Sequence, residues 1–351
     1  MTGGWFLLSS AEYGGKPAQT NSPIIDRMGI DMNLLLNIIL SAAGFAVLIK
    51  CADFFVGGSS SFAKNLKVPT LIIGLTVVSF GTSAPELAIS FSSHLSGNSD
   101  VLFGNVIGSN IANILVILGL AVLIIPFRIQ NDIIRKQIPI LLLVILGTSV
   151  LFLDDLFGGT GVNALSRADG IVMILFFSIF IYYLITLIPS DKKNIGIIEP
   201  PKYSMPKSII FMAIGLAGVI FGSDLIVNNL VEIAGALGIS QKIIAVTIIS
   251  IGTSLPELVT TVVAAKKGEN NLAIGNIVGS NIFNTCIVLG LPVVLLGEAA
   301  TTAYNYIDAV FMVVAVVLLW IFSATGKELK RYEGVIFLLI YCAYAYYVIS
   351  L

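Results

Sequence analysis

The string Gly81-Thr82-Ser83-Ala84-Pro85-Glu86 returns 171 residues later, with one change, as Gly252-Thr253-Ser254-Leu255-Pro256-Glu257. Both copies lie inside apolar runs. A carboxylate at the centre of a membrane-spanning helix costs about 2.5–3.5 kcal/mol on insertion scales. This chain bears that cost twice, each time beside a proline and two hydroxyls. A second string repeats at the same offset: Gly104-Asn105-Val106-Ile107-Gly108-Ser109-Asn110-Ile111-Ala112-Asn113 and Gly275-Asn276-Ile277-Val278-Gly279-Ser280-Asn281-Ile282-Phe283-Asn284. Such a duplication requires a fold that uses every segment twice.

Composition decides the solvent. With 57% hydrophobic and 11% charged residues over 351, the chain reads as a polytopic membrane protein embedded in a lipid bilayer. A net charge of −1 points to no nucleic-acid partner, and no obligate protein partner is evident. Cys51, Cys286 and Cys342 sit in apolar runs without CxxC spacing, so neither a disulfide framework nor a thiolate metal site is expected. A lone histidine, His94, excludes paired-histidine zinc motifs. Residues 1–31 are polar to mixed, and Trp5-Phe6-Leu7-Leu8 is too short for a signal-peptide core. They read as an N-terminal tail, with Met32 a candidate start.

Runs of about 20 apolar residues place ten helices, near 33–60, 69–95, 102–125, 137–153, 168–188, 207–231, 240–265, 272–296, 303–324 and 332–350. Loops after odd-numbered spans hold 14 lysines and arginines, the opposite side four (Lys16, Arg27, Arg167, Lys242), and Lys50 lies within span 1. The positive-inside rule then puts both termini outside. The proline-rich, charged connector 189–206 reads as a cytoplasmic linker between repeats at 32–188 and 207–351. Asp53 matches Asp224, Gly44 matches Gly215, Thr76 matches Thr247 and Ser79 matches Ser250 at the common offset. Spans 5 and 10 match at 164, through Arg167-Ala168-Asp169-Gly170 with Arg331-Tyr332-Glu333-Gly334 and Tyr182-Tyr183 with Tyr346-Tyr347. Five spans per repeat force the second to enter the membrane upside down. The expected fold is an all-α polytopic membrane protein: ten transmembrane helices as two inverted five-helix repeats. Such repeats with a midplane site are the architecture of secondary transporters.

Within span 2, Thr82 and Glu86 are four residues apart, Ser83 and Glu86 three, and Ser79 a turn earlier, so their oxygens share one face. Pro85 lacks an N–H and crowds the carbonyl four residues back. The break is expected to free carbonyls near Ser79–Gly81, which is tolerated at that depth only beside a cavity or inside protein. Span 7 repeats the set with Ser250, Thr253, Ser254, Pro256 and Glu257. Spans 3 and 8 add stripes at intervals of four: Asn105, Ser109, Asn113 and Asn276, Ser280, Asn284. If the four segments meet, they enclose two carboxylates, hydroxyls, amide oxygens and loose carbonyls. An all-oxygen set suits hard cations, Ca²⁺ in particular, which takes about 6–8 oxygens in irregular geometry. Two negative charges balance one divalent ion or two monovalent ones. Competition for one alternately opened site is exchange.

The paired GTSxPE and GNxxGSNxxN strings resemble the repeats of the calcium/cation antiporter superfamily, in particular a prokaryotic member of its sodium/calcium exchanger branch. The resemblance covers all ten spans. It implies that Glu86 and Glu257 are shared Ca²⁺/Na⁺ ligands and that Thr82, Ser83, Thr253 and Ser254 supply hydroxyl or carbonyl oxygens. Backbone carbonyls would come from Ser79 and Ser250, Ser109 and Ser280 would complete outlying Na⁺ positions, and Asn113 and Asn284 would line the centre. It further implies that spans 1 and 6 slide as a gate, and a location in a prokaryotic inner membrane. Proton-coupled relatives carry GNxxE in place of GTSxPE. Potassium-dependent ones place an acid where Asn284 stands, as do some prokaryotic members.

Plainer roles compete for several of these residues. Gly104, Gly108, Gly275 and Gly279 fit close helix packing. Asn105 and Asn276 fit helix cross-linking, and Asn110 and Asn281 interhelical hydrogen bonds. Asp53 and Asp224 suit structure or gate latching, with Lys50 snorkelling or pairing with Asp53. His94 reads as a surface residue, and the tyrosine pairs read as interfacial belt. The expected function is therefore a Na⁺/Ca²⁺ antiporter, not an enzyme and without a cofactor. The alternatives are a proton-coupled antiporter and, more remotely, a cation channel. An intramembrane hydrolase would need a His, Lys or metal to activate a hydroxyl beside the glutamates.

Overall fold

A computed structural model describes residues 32–159, 161–188, 200–239 and 250–350. The N-terminal tail, most of the 189–206 linker, and the first half of the seventh expected span lie outside the described residues. Among the described residues, eight helices are long and apolar enough to cross a membrane, and one bent pair makes a ninth candidate. They are labelled α1 (Met32–Leu66), the bent pair α2 (Thr70–Thr82) and α3 (Ala84–Leu95), then α4 (Ser99–Ile124), α5 (Ile133–Phe152) and α6 (Arg167–Thr186). After the linker come α7 (Met205–Ala236), α8 (Leu255–Lys266), α9 (Asn270–Leu296), α10 (Tyr306–Gly326) and α11 (Arg331–Ser350). A helical turn, Ser250–Thr253, precedes α8. The protein is an all-α, multi-pass integral membrane protein.

The observed helices sit within a few residues of the expected spans, and their ends follow local chemistry. Asp169 and Glu333, matched in the repeat, each turn back to cap a helix start. Asp169 accepts from the Ser166 N–H at 2.8 Å, and Glu333 from the Lys330 N–H at 2.7 Å. A capping carboxylate satisfies donors that a helix start leaves free. Two short strand pairs were not foreseen: β1 (Phe127–Arg128) with β4 (Glu328–Leu329), and β2 (Asn163–Leu165) with β3 (Ala299–Thr301). Each ties a loop of the first half of the chain to one of the second.

Glycines set the crossings. α1 and α7 run antiparallel: a Cβ added at Gly44 would lie 2.8 Å from Ile226 and 3.1 Å from the Gly222 carbonyl. One added at Gly215 would lie 2.8 Å from the Cys51 carbonyl and from Phe55 Cα. These two sets of contacts map onto each other at the 171-residue offset. Elsewhere a Cβ at Gly334 would lie 2.7 Å from the Gly119 carbonyl, and one at Gly170 would lie 2.9 Å from that of Gly290. Thus α11 packs on α4 and α6 packs on α9, so each half lends its last helix to the other. In lipid, where association rests on close packing, small residues at a crossing allow this approach.

Burial ranks the helices. In their most apolar windows α4 and α9 are 78% and 83% buried, whereas α1 and α7 are 17% and 28% buried. The centre is α4 and α9; α1 and α7 form a peripheral pair facing lipid. Gly215→Val should therefore wedge α1 from α7 and cost about 1–3 kcal/mol. Gly235 has open space around it, so Gly235→Ala should leave stability unchanged or raise it by under about 1 kcal/mol. Thermal unfolding in detergent separates the two: a lower midpoint for the first and no decrease for the second.

Candidate ion-binding site

The bent pair creates the first half of the site. α2 ends at Thr82, Ser83 leaves the helical track at φ −88°, ψ 8°, and α3 restarts with Pro85 in its first turn. The two segments are bent by 45°. Proline suits a first helical turn, because the N–H it lacks would have no partner there. Ser254 repeats the break at φ −90°, ψ 6°, with Pro256 in the first turn of α8. Glu86 and Glu257 follow, each on the first turn of the helix after its break.

Both glutamates are buried, 1% and 0% exposed, and near enough for their charges to repel. Among the described residues no lysine, arginine or histidine forms an ion pair with either. The Ser83 hydroxyl donates to Glu257 Oε1 at 2.9 Å, which joins the two halves directly. The hydroxyls of Thr82 and Ser280 also approach that carboxylate. Thr82 Oγ1 donates to Asn276 Oδ1 at 3.1 Å. The symmetry stops there. Ser254, the counterpart of Ser83, is buried without a hydrogen-bond partner among the described residues, and so are both oxygens of Glu86 and Glu257 Oε2.

Asn113 and Asn284 complete this group of buried, unpartnered polar atoms: neither amide has a partner among the described residues. Each opens a π-helical turn, Asn113–Leu118 in α4 and Asn284–Val288 in α9. A π turn inserts one residue into the helical ladder and often marks a functional position. No residue pattern announced it. Buried polar atoms in native proteins almost always find partners, so such a cluster, with two carboxylates inside it, has the chemistry of a cation site. Among the described residues there is no cluster of three or more His, Cys, Asp or Glu; beyond the two carboxylates, the unpartnered oxygens here belong to hydroxyls and amides.

Other expected residues take different roles or positions. The Ser79 carbonyl, expected to be free, accepts from the Ser83 N–H at 3.0 Å and the Thr82 hydroxyl at 3.4 Å. The helix persists one turn further than the proline argument implied. Ser79 Oγ donates to the Thr76 carbonyl at 3.0 Å. Ser109 is buried a turn before Asn113, and among the described residues the carboxylate hydrogen bond is that of Ser83 to Glu257. Thr253 is half-buried at the second break, and the Ser250 side chain lies outside what is described.

Asn105 and Asn276 prove to be cross-links. Asn105 Nδ2 donates to the Glu86 carbonyl and Ser90 Oγ, both at 2.9 Å. Asn276 Nδ2 donates to the Glu257 carbonyl at 3.5 Å and to Thr261 Oγ1 at 3.1 Å. Each asparagine pins the backbone of the glutamate in its own half. Asn110 bridges α4 to Thr285 of α9 at 2.8 Å, as expected, while Asn281 bonds within its helix to the Ile277 carbonyl. Thr260, a turn beyond Glu257, is fully buried with an unpartnered hydroxyl. Sequence reasoning missed it because its counterpart is Ile89.

The outlying expectations divide similarly. Asp53 pairs with Lys267 at 2.8 Å rather than with Lys50, whose ammonium lies over the Phe54 ring. His94 is half-buried against the Gly297 carbonyl at 3.0 Å. Tyr182 and Tyr346 are exposed, as belt residues would be, but Tyr183 accepts from Gln137 and Tyr347 bonds to Asn305.

The family model described as "Sodium/calcium exchanger protein" matches residues 36–186 and 207–350. CaxA of Alkalimonas amylolytica is 36% identical over 90% of this chain and 100% of its own length. The inner membrane protein YrbG of Escherichia coli is 34% identical over 86% of this chain and 94% of its own. A solved structure of the sodium-calcium exchanger NCX_Mj superimposes with a TM-score of 0.75 at 30% identity, covering 88% of this chain and 98% of that one. The fold is therefore shared with that exchanger, and the protein is a transporter rather than an enzyme. The chain belongs to the sodium/calcium exchanger family.

Proposed function

We propose that this protein exchanges Na⁺ for Ca²⁺ by alternating access at a midplane site, with Na⁺ entry driving Ca²⁺ out. One observation carries the reading: Glu86 and Glu257, from equivalent breaks in the two halves, are buried together without a basic partner among the described residues. Ca²⁺ as substrate satisfies both carboxylates at once. Na⁺ ions satisfy them in its absence, so each cation excludes the other. Ser83, Thr82, Ser254 and Ser280 supply neighbouring hydroxyls, with Thr253 and Ser250 at the second break. Asn113 and Asn284 contribute amide oxygens from the π turns, and Ser79 and Ser109 lie outside this inner group, at outlying positions.

In this reading the domains are two inverted five-helix repeats, 32–188 and 207–351, joined by the 189–206 linker and preceded by the 1–31 tail. The antiparallel α1/α7 register and the exchanged packing of α6 and α11 support that inversion. The turn Ser250–Thr253 and α8 lie in the seventh expected span, 240–265, and with it the number of spans in this reading is ten. The lysine and arginine distribution puts the linker in the cytoplasm and both termini outside, and the likeness to an inner membrane protein suits a prokaryotic inner membrane.

Glu86→Gln or Glu257→Gln should abolish Ca²⁺ uptake into Na⁺-loaded proteoliposomes while the protein still extracts and elutes as a single species. Wild-type-like uptake by either variant refutes the site. Uptake by the unaltered protein should persist when a protonophore collapses the pH gradient. Arrest under that condition would assign the proton-coupled alternative, and flux that needs no counter-ion would indicate a channel.

A further inference from the structure

The Gly44 and Gly215 contacts of the α1/α7 pair match at the 171-residue offset, yet the side chains towards its two ends differ. At the end facing the α8–α9 loop, Lys267 Nζ meets Asp53 Oδ1 at 2.8 Å and the Asp53 carbonyl at 2.7 Å. It reaches across α1 at Gly57, where a Cβ would lie 3.4 Å from it. Two residues on, Glu269 accepts the Ser60 hydroxyl and lies 3.7 Å from Lys64 Nζ. These contacts fasten α1 to the loop that leads out of α8, the helix carrying Glu257.

Their counterparts at the 171-residue offset cannot do the same. Asp53, Ser60 and Lys64 correspond to Asp224, Val231 and Gly235, while Lys267 and Glu269 correspond to Ser96 and Asn98. Asp224 is exposed, Gly235 has nothing within reach of an added Cβ, and no ion pair joins α7 to the Ser96–Asn98 loop among the described residues. Phe55, Val56 and Ala63 of α1 also reach the main core, with Met212 and Leu216 of α7 packed against it. A small apolar cluster of Leu48, Ala52, Val219, Ile226 and Leu255, separate from the main core, joins the pair to α8, and among the described residues a hydrogen bond runs from Ser223 to the Gly252 carbonyl.

We propose that Asp53–Lys267 and Ser60/Lys64–Glu269 form a one-sided latch that holds the α1/α7 pair shut against the α8–α9 loop. The latch biases the resting carrier towards opening at the opposite, outer end. This rests on the carrier reading above. Each contact is partly exposed and modest alone, so two together shift the balance of the two states about fivefold.

The test compares Asp53→Asn/Glu269→Gln with Asp224→Asn, the equivalent change at the other end, in proteoliposomes of known orientation. Removing the latch should tighten apparent Ca²⁺ affinity from the cytoplasmic side relative to the outer side by about fivefold, with Asp224→Asn near wild type. The charge swap Asp53→Lys/Lys267→Asp should recover most of the wild-type ratio. Amide hydrogen exchange of residues 53–66 and 264–272 gives a second readout that needs no flux. It should quicken by a similar factor only in the latch variant, and it decides the matter alone if the wild type carries no Ca²⁺. An unchanged affinity ratio and exchange pattern in the latch variant, or an equal response to Asp224→Asn, overturns the proposal.

Discussion

Two carboxylates forced together in a membrane interior repel each other and have lost their water. Moving one such charge into a medium of low polarity costs tens of kcal/mol in the idealised limit, and the group must find a counter-charge or a proton. Neither glutamate here has a basic side chain to turn to among the described residues, and only Glu257 holds a hydroxyl. Much of the remaining structure is arranged to keep these two groups buried and close. Asn105 and Asn276 fix their backbones from neighbouring helices, and the proline breaks aim them inward. In the proposed cycle that tension is the driving principle: a site that cannot rest without a cation releases one only when another replaces it. Coupling then follows from electrostatics.

The scaffold answers a second demand, since the site must open without falling apart. The centre is α4 and α9, deeply buried and clasped by α11 and α6 through glycine-to-carbonyl contacts. That exchange of terminal helices locks the halves into one body. By contrast, α1 and α7 pack on one another through small residues and face lipid for most of their length. A smooth, glycine-lined pair outside a rigid core is suited to sliding. In the proposed inverted arrangement the two ends correspond in backbone, so a preference for one open state comes from side chains, and among the described residues the ion pairs near Asp53 and Glu269 have no counterpart at the other end.

Much of this was legible in the chain. The positions of the described helices follow from apolar run length, and both breaks follow from Pro85 and Pro256, because burial and backbone geometry leave marks in residue type. The glutamates were conspicuous for the same reason. Less visible were features defined by partners distant in sequence. Ser83 reaching Glu257, while Ser254 does not reach Glu86, is an asymmetry no repeat could announce. The π turns at Asn113 and Asn284 need only one extra residue in the helical ladder and no special composition. The Ser79 carbonyl was misjudged because the helix runs on to Thr82 before it breaks. Asp53 was matched to Lys50 by proximity in sequence, whereas its partner Lys267 comes from a loop after α8.

The most direct trial of the two-carboxylate site is anomalous diffraction from crystals grown with Ca²⁺ and then stepped through rising Na⁺. One strong peak should lie between the Glu86 and Glu257 carboxylates and fade as Na⁺ replaces it. Carboxylates that point away from each other, or a Ca²⁺ peak elsewhere in the bundle with none between them, would contradict the account.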